Sequence, residues 1–553
     1  MRHWMRASLA SICSVLLACA LCFTQNNSEN HPLAVSFDEV RDHLMGEPPL
    51  IRVSLPQRES VLLGMQGIPV RVTVDIDGNV ISAIADKSVS ADLQSRSEAA
   101  AKNLHFRPFE RGGHAVVASF EHRVIVLPPE LLPKTHIPFP TIRDWNSLRM
   151  TLKRTTCFGT CPSYRVEIHG DGTVLYEGQA YVAITGSHRG SVSKGTVSEL
   201  VDAFRNMDYY SLEDEYVWPA TDLPTYETSI EIDGKLKKVK DYAGAQVGMP
   251  LSVSKLEAEI DRLVDTERWT KGNENTVKSL RDEKWDFKSP QTAEILARVA
   301  KAGQPEVVTE LLAAGVPIDP DSKTATMALV QAGARGDASM LQALLGAGAR
   351  KNTKSLGGAL FAAASAGRLE AVRLLIATGA TPTPETPSSR TLLMAAAGSG
   401  VPGVVQEVLS FNPDVNTRGA QGRTALMEAV GQPYFGAERV EVNRAEVVRL
   451  LLERGADPNI QDERGNTALI ECAWHADAAL ALIKHGANLN TQNKDGLTAL
   501  INSVSPDVAH VLVENGADLY LRDKEGKTAL EEAKRFNRPD KEAVLDAAQA
   551  HRQ

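Results

Sequence analysis

The sequence predicts a multidomain protein in which two small α+β domains precede an all-α repeat solenoid with β-hairpin tips. Three observations predict it. From residue 294 to the end, a unit of helix, turn and helix recurs. Over 55–129 and 147–269, alternating apolar residues flank Asp-Gly turns and alternate with helical stretches. At 553 residues the chain has room for several domains.

The repeats decide the architecture. Units start at Glu294, Met327, Gly358, Thr391, Thr424, Thr467, Thr498 and Thr528, spaced by 33, 31, 33, 33, 43, 31 and 30 residues. Each has a short Ala-rich helix, a turn, and a second helix with a Val/Leu stripe. Small residues let helices approach closely, and the stripe is buried only against the next unit, so the array folds as a whole. Gly-Ala pairs such as Gly455-Ala456 and Gly486-Ala487 end the second helices, where glycine tolerates the left-handed cap. Hairpin tips follow, reaching Gly465, Gly496 and Gly526. The last unit is highly charged (Glu531, Glu532, Lys534, Arg535) and reads as a polar cap.

The recurring T-x-L…A…G…VV-x-LL…GAD-x-N…DxxG pattern resembles the ankyrin repeat over 294–553. The resemblance implies protein binding through concave helices and tips. The unit of 43 residues carries about ten extra residues over 433–442, between its two helices. Tyr434 and Phe435 there are either a local plug or an exposed anchor. Trp474 and His475 fall late in the first helix of their unit. They either grip a partner, tryptophan being enriched at hot spots, or form an edge-packed ring beside a solvent-facing histidine. Tyr434, Phe435, Trp474 and His475 are the candidate partner-binding residues. Cys472 replaces a packed alanine and reads as a buried small hydrophobe.

The N-terminus reads as a secretory leader over 1–23. Arg2 and Arg6 precede an apolar run over 7–23, followed by polar residues. Ala18-Cys19-Ala20 offers a cleavage site. Leu16-Leu17-Ala18-Cys19 resembles the lipobox of bacterial lipoproteins, which implies lipidation at Cys19. The chain is thus expected to be periplasmic or lipid-anchored at a bacterial envelope. Whether the leader is cleaved, lipidated or retained stays open.

Export changes the meaning of the cysteines. Of the six, Cys13, Cys19 and Cys22 lie in the leader, leaving Cys157, Cys161 and Cys472. In an oxidising compartment the pair at 157 and 161 is expected to be a disulfide. A redox site would more typically be C-x-x-C with the first thiol opening a helix. A zinc site needs two further ligands, and His169 and His188, the nearest histidines, lack paired spacing. The reading is a structural staple, with reduced thiols or redox or metal chemistry as the alternatives.

Residues 31–135 form the first α+β domain. VRVTVDI and VISAIA read as strands joined by Asp77-Gly78-Asn79, and SRSEAAAKNLHF as a helix. Gly67, Val72-Thr73-Val74-Asp75, Asp77-Gly78, Val80, Ala99 to Ala101, Phe106-Arg107-Pro108, Gly112-Gly113 and Val116 resemble the C-terminal domain of TonB energy transducers. The membrane helix and long Pro-rich span of a transducer are missing from the pattern, so the resemblance implies the fold and not the coupling role. Asp75-x-Asp77-Gly78-Asn79 starts like a calcium loop but lacks the later acidic ligands, and reads as a turn.

Residues 141–270 form the second α+β domain. Strands are expected at SLRMTLKRT, at a hairpin around 170–172 and at another around 233–234, with helices over 197–216 and 251–269. CFGTCPSYRVEIHGDGTVLYEG resembles a bacterial domain family of unknown function, which brings no activity. Residues 271–290 read as a linker with a capping helix, and 291–553 as the array.

Net charge is −9, which argues against a nucleic-acid surface. No Gly-rich phosphate loop, HExxH or G-x-S-x-G is present, so neither an enzyme nor a cofactor nor a metal site is predicted. The leading reading is a non-catalytic exported scaffold whose array binds one periplasmic or envelope protein; its partner is not legible. The alternatives are an envelope-machinery component docking through the TonB-like domain, and an enzyme with its site in the middle domain.

Overall fold

The computed structural model describes residues 33–34, 40, 43–45, 49–54, 63, 66–111, 114–131, 133, 135–382, 390–431 and 442–552. The chain divides into two units, Met1–Thr270 and Lys271–Gln553.

In the first unit the leading elements are β1 (Leu33–Ala34), β2 (Leu44–Met45), β3 (Leu50–Arg52), β4 (Ile68–Val74), β5 (Val80–Ala85), α1 (Ala91–Lys102), β6 (His105–Phe106), β7 (Phe109–Arg111), β8 (His114–Val116) and β9 (Ala118–Leu127). The main sheet runs β1-β9-β4-β5, with β3 also on β9. Period-two alternation in β4 buries Ile68, Val70, Val72 and Val74 on the face that α1 covers. Arg71 of β4 pairs with Glu121 of β9, and both are exposed. The sheet is therefore packed on one side only.

The β4–β5 turn has the expected chemistry. Asp75 Oδ1 accepts the N–H groups of Asp77 (3.0 Å) and Asn79 (2.8 Å), so the carboxylate holds the turn. Gly78 has φ +87°, and a Cβ there would sit 1.9 Å from the Phe106 carbonyl oxygen. Phe106, Phe109 and Phe120 fill the core beneath.

His122 in β9 is, like the Ser97 hydroxyl in α1, a polar group left without a partner in this domain. Both ring nitrogens are buried without a hydrogen-bond partner, and burial pushes its pKa down to about 4. The folded state thus holds fewer protons than the unfolded chain between the ordinary value of 6.5 and about 4. Stability is present above this window and is lost as pH falls through it. His122→Phe is expected to flatten that acid loss, worth up to about 3 kcal/mol at pH 4. Hydrogen exchange of β9 peptides, corrected for intrinsic rates, measures it. Equal slopes in the two proteins would refute the assignment.

The rest of the first unit is a second sheet made of β10 (Arg149–Arg154), β11 (Ser163–His169), β12 (Thr173–Ala180), β13 (Gly186–Ser191), β14 (Glu215–Val217), β15 (Tyr226–Ile232) and β16 (Lys235–Tyr242). Its order is β13-β12-β11-β10-β15-β16-β14. Helices α2 (Lys194–Asn206), α3 (Leu251–Val264) and α4 (Glu267–Thr270) complete it. α2 and α3 pack together and bury Leu200, Phe204, Leu256 and Ile260. Both expected hairpins form, β11–β12 and β15–β16.

Both expected helices are shorter than their patterns. The first stops at Asn206, because Asp208 takes a left-handed φ of +57° and Tyr209 turns into the core, its hydroxyl donating to the Thr228 carbonyl at 2.7 Å. Residues 215–217 then join the sheet as β14, parallel to β16. The second breaks at Asp265, also left-handed at +54°, before α4.

The second unit is helical. α5 (Thr276–Asp282) buries Val277 and Leu280 and contacts the second helix of the first repeat. The helix pairs are α6 (Pro290–Ala302) with α7 (Pro305–Ala313), α8 (Lys323–Arg335) with α9 (Ala338–Gly346), α10 (Thr353–Ser365) with α11 (Leu369–Ala377), and α12 (Leu392–Ser399) with α13 (Pro402–Leu409). Then come α14 (Ala425–Val430) with α15 (Arg444–Glu453), α16 (Ala468–Glu471) with α17 (Ala476–Lys484), α18 (Ala499–Asn502) with α19 (Pro506–Glu514), and α20 (Ala529–Arg535) with α21 (Pro539–Arg552). Every first helix contacts the next first helix, and every second helix the next second helix. Small residues set the spacing: a Cβ at Gly333 of α8 would lie 2.6 Å from the Ala359 carbonyl oxygen of α10.

A threonine caps each of the last five first helices. The Oγ1 atoms of Thr391, Thr424, Thr467, Thr498 and Thr528 accept the N–H three residues on, at 3.2 to 3.4 Å. In the last pair, buried Lys541 donates to the carbonyls of Ile501 (3.1 Å) and Ser503 (2.7 Å). This closes the end of short helix α18, and burial lowers the amine's pKa to about 7. Among the described residues, no helix is long and apolar enough to cross a membrane.

Candidate protein-binding surface

The tips between repeats are turns rather than hairpins. Among the described residues of this unit they contain no β-strand. In each of the last three, one side chain takes the N–H groups that a ladder would use. Asp462 Oδ1 accepts from Arg464 and Asn466, both at 2.8 Å, and Asn493 and Asp523 do the same two and four residues on. One backbone bond, such as Asp462 N–H to the Asn466 carbonyl (2.9 Å), closes the base. The expected strand pairing is thereby replaced by Asx turns.

These tips are tied to one another by side chains. Asn416 Oδ1 accepts the Asp457 N–H at 2.8 Å, and its amide donates to the Gly455 carbonyl at 3.0 Å. Asn459 repeats both bonds with Asn488 and Gly486. Asn490 accepts from Asp518 at 2.9 Å. A parallel row uses Gln492, whose amide donates to Gly496 within its own tip and to Arg522 in the next. Tyr520 occupies the asparagine position of the tip before α20, and its ring is exposed.

The first helices are laced in a similar way. Arg390 donates to Glu428 Oε2 (2.6 Å), and Arg423 bridges Glu428 Oε1 (2.8 Å) and Glu471 Oε1 (2.6 Å). The four charges form one half-buried chain across three repeats. Such a surface is held in shape before any partner arrives, which lowers the ordering cost of binding.

Trp474 and His475 are not helical. α16 ends at Glu471, with Cys472 as its cap, so both residues lie in the turn before α17. The Cys472 thiol donates to the His475 carbonyl at 3.3 Å and draws the chain round. Trp474 is 52% exposed. His475 instead turns inward: its Nε2 is buried without a partner, and burial lowers its pKa. It does not face solvent as one reading had it. Cys472 is buried, and burial pushes its thiol up to about 12, which makes it a poor nucleophile. Tyr434, Phe435 and Cys19 lie outside the described residues.

In the first unit, Cys157 and Cys161 form a disulfide, with Cα atoms 5.5 Å apart. It closes the loop between β10 and β11. His169 is engaged by Glu167 at 2.8 Å, and His188 faces the Thr185 carbonyl at 3.2 Å. Among the described residues, no group of three or more His, Cys, Asp or Glu side chains is placed to hold a metal ion. Replacing both cysteines with serine is expected to lower the stability of this domain by about 2 kcal/mol, the figure for a short closed loop. Urea unfolding of the two proteins measures it. Alkylation of both thiols in unreduced protein would overturn the staple.

Beneath this loop lies a network that the sequence reading missed. Arg154, the last residue of β10, is ion-paired to Asp261 of α3. Tyr164 donates to Asp261 Oδ1 at 2.6 Å, and Thr266 donates to it at 2.8 Å. The Arg154 guanidinium also lies over the Tyr226 ring at 4.5 Å. Glu257, one turn before Asp261, is buried, and its Oε1 has no partner. Burial holds its carboxyl well above the usual range, with Asp241 adding to the effect. The available signal was positional: Glu257 follows Val253 and Leu256 and precedes Ile260 on the apolar face of α3.

Comparison with known proteins follows this division. Residues 148–264 match the family described as a domain of unknown function, DUF6438. Residues 360–462 and 435–523 match the family described as ankyrin repeats (3 copies). The chain carries ankyrin repeats. No curated protein matches it. Among solved structures, an ankyrin repeat protein, EF0377, is similar at 24% identity, covering 34% of this chain and 96% of that one with a TM-score of 0.29. So is a chain from the complex of the predatory endopeptidase Bd0816 of Bdellovibrio bacteriovorus with immunity protein Bd3460. There the identity is 28%, the coverage 34% and 96%, and the TM-score 0.29. Ankyrin repeats over 360–523 suggest protein–protein interaction.

Proposed function

We propose that this protein is exported and acts as a non-catalytic scaffold, holding one periplasmic or envelope protein on its ankyrin array. The tied tips carry this reading. Asn416, Asn459 and Asn490 fix each tip against the next, giving a continuous surface of set shape that ends at Tyr520. The leader-like residues 1–23 and the 157–161 disulfide favour an oxidising compartment, with lipid at Cys19 as the means of attachment.

The test is a cross-linked pull-down from envelope extract with the full chain and with a chain ending at Thr270. A single stoichiometric partner lost with the array supports the scaffold. Partners that persist without it place binding in the first unit and refute the proposal. The mass of the N-terminal peptide of the exported protein tests cleavage and lipidation at Cys19.

A further inference from the structure

We infer that the disulfide end of the 148–264 domain is a second protein-docking surface, independent of the array, which inserts Phe158 and Tyr181 into an apolar site on a partner. The strand registers bring three loops to one end of the sheet. Arg154 pairs with Tyr164 and with Tyr226, Ser163 pairs with Ala180, Gly178 pairs with Gly186, and Val217 pairs with Tyr242. Loops 155–162, 180–187 and 217–225 therefore emerge side by side.

Their composition is unlike the rest of the chain, which is 23% charged. Loops 155–162 and 180–187 contain no charged residue, and 217–225 contains one, Asp222. The opposite end of the same sheet carries Arg143, Asp144, Asp171, Asp233 and Lys235. Loss of charge together with exposed aromatics is the signature of an interface centre. Phe158 is 58% exposed and Tyr181 is 55% exposed.

The loops are also braced. The disulfide closes the first. The N–H of Phe158 donates to the Asp222 carbonyl at 3.1 Å, and that of Thr155 to the Thr225 carbonyl at 3.0 Å. Ala183 and Ile184 donate to the Thr270 and Trp269 carbonyls, both at 2.8 Å. Aromatic side chains on a braced backbone lose little freedom on binding, as hot-spot anchors do. Asp222, beside Phe158, sets the remaining chemistry. Its charge opposes burial in lipid and favours a protein partner with a cationic or N–H group next to the apolar site.

The test installs a photoreactive benzophenone side chain at position 158 of the full disulfide-bonded chain, and at 171 on the charged end as control. Irradiation in envelope extract is expected to give one protein adduct, at least tenfold stronger from 158. Excess unlabelled wild type should remove it. Phe158→Ser, Tyr181→Ser and Asp222→Lys chains, checked for an intact disulfide and unchanged melting, should not. Equal competition by the variants, adducts with phospholipid, with residues 271–553 or with a second copy, or no adduct at all, would each overturn the inference.

Discussion

Replacing Gly496 by alanine is expected to destabilise the array by roughly 3 kcal/mol or more, whereas the same change at Gly526 lowers stability by about 1–2 kcal/mol. Both glycines close a tip with almost the same left-handed φ, +76° and +74°. Their surroundings differ. A Cβ at Gly496 would lie 2.8 Å from Asp523 Cα, 2.9 Å from its carbonyl carbon and 2.9 Å from Lys524 N, all backbone atoms of the next tip. At Gly526 nothing lies within 4 Å. Gly526→Ala therefore meets only the left-handed strain. Gly496→Ala must also push two tips apart and lose the bond from Lys524 N–H to the Asp495 carbonyl (3.0 Å) and that from Gln492 to Arg522 (2.8 Å). Urea unfolding of the full chain gives the two values, and hydrogen exchange at 523–527 locates the damage. Equal losses would show that the tips are not packed on one another.

The same comparison shows what can be read from the repeats. The periodic Thr, Gly and Asx positions are local: each makes its own cap or turn within a few residues, so spacing alone reveals it. The asparagine row is partly legible, since Asn416, Asn459 and Asn490 recur in D-x-N or N-x-N. What the pattern does not say is that each side chain bonds the backbone of the following repeat, because that depends on stacking distance. Trp474 and His475 were misplaced for a related reason. A helix-period pattern runs through 468–475, but the Cys472 thiol and the His475 carbonyl form a tighter turn.

In the α+β unit, strands with alternation were visible, and β13 was not. Its sequence, GSHRGS, buries only His188, and as a sheet edge it needs no apolar stripe. The helix ends at 206 and 264 were overrun because Asp208 and Asp265 tolerate left-handed backbone as a glycine would, with no glycine to mark the break. The Arg154 network was hidden because its members come from β10, β11, β15, α3 and the turn after it. Only the fold brings them together.

That network gives the second large effect. Arg154→Leu is expected to destabilise the 148–264 domain by about 2 kcal/mol, below the range for removing one partner of a fully buried ion pair, because both side chains of the pair keep 20% exposure. Asp261 would keep the Tyr164 and Thr266 hydroxyls but lose its cation, and Tyr226 would lose the guanidinium over its ring. Glu257→Gln acts in the opposite sense. The Glu257 carboxyl is held well above its ordinary value of 4.5, so above that pH the folded state keeps a proton that the unfolded chain has released. Stability then falls as pH rises from about 4.5 through the folded value. Glutamine, with the same shape and no charge, removes this loss. The variant should match wild type near pH 4 and exceed it at pH 8, while Arg154→Leu stays below wild type throughout. Hydrogen exchange of β10 and β11 peptides across that range separates the two. A Glu257→Gln protein less stable than wild type at pH 8 would mean that the carboxylate is ionised and held by Arg154, making the cluster a salt-bridge network rather than a single ion pair beside a neutral acid.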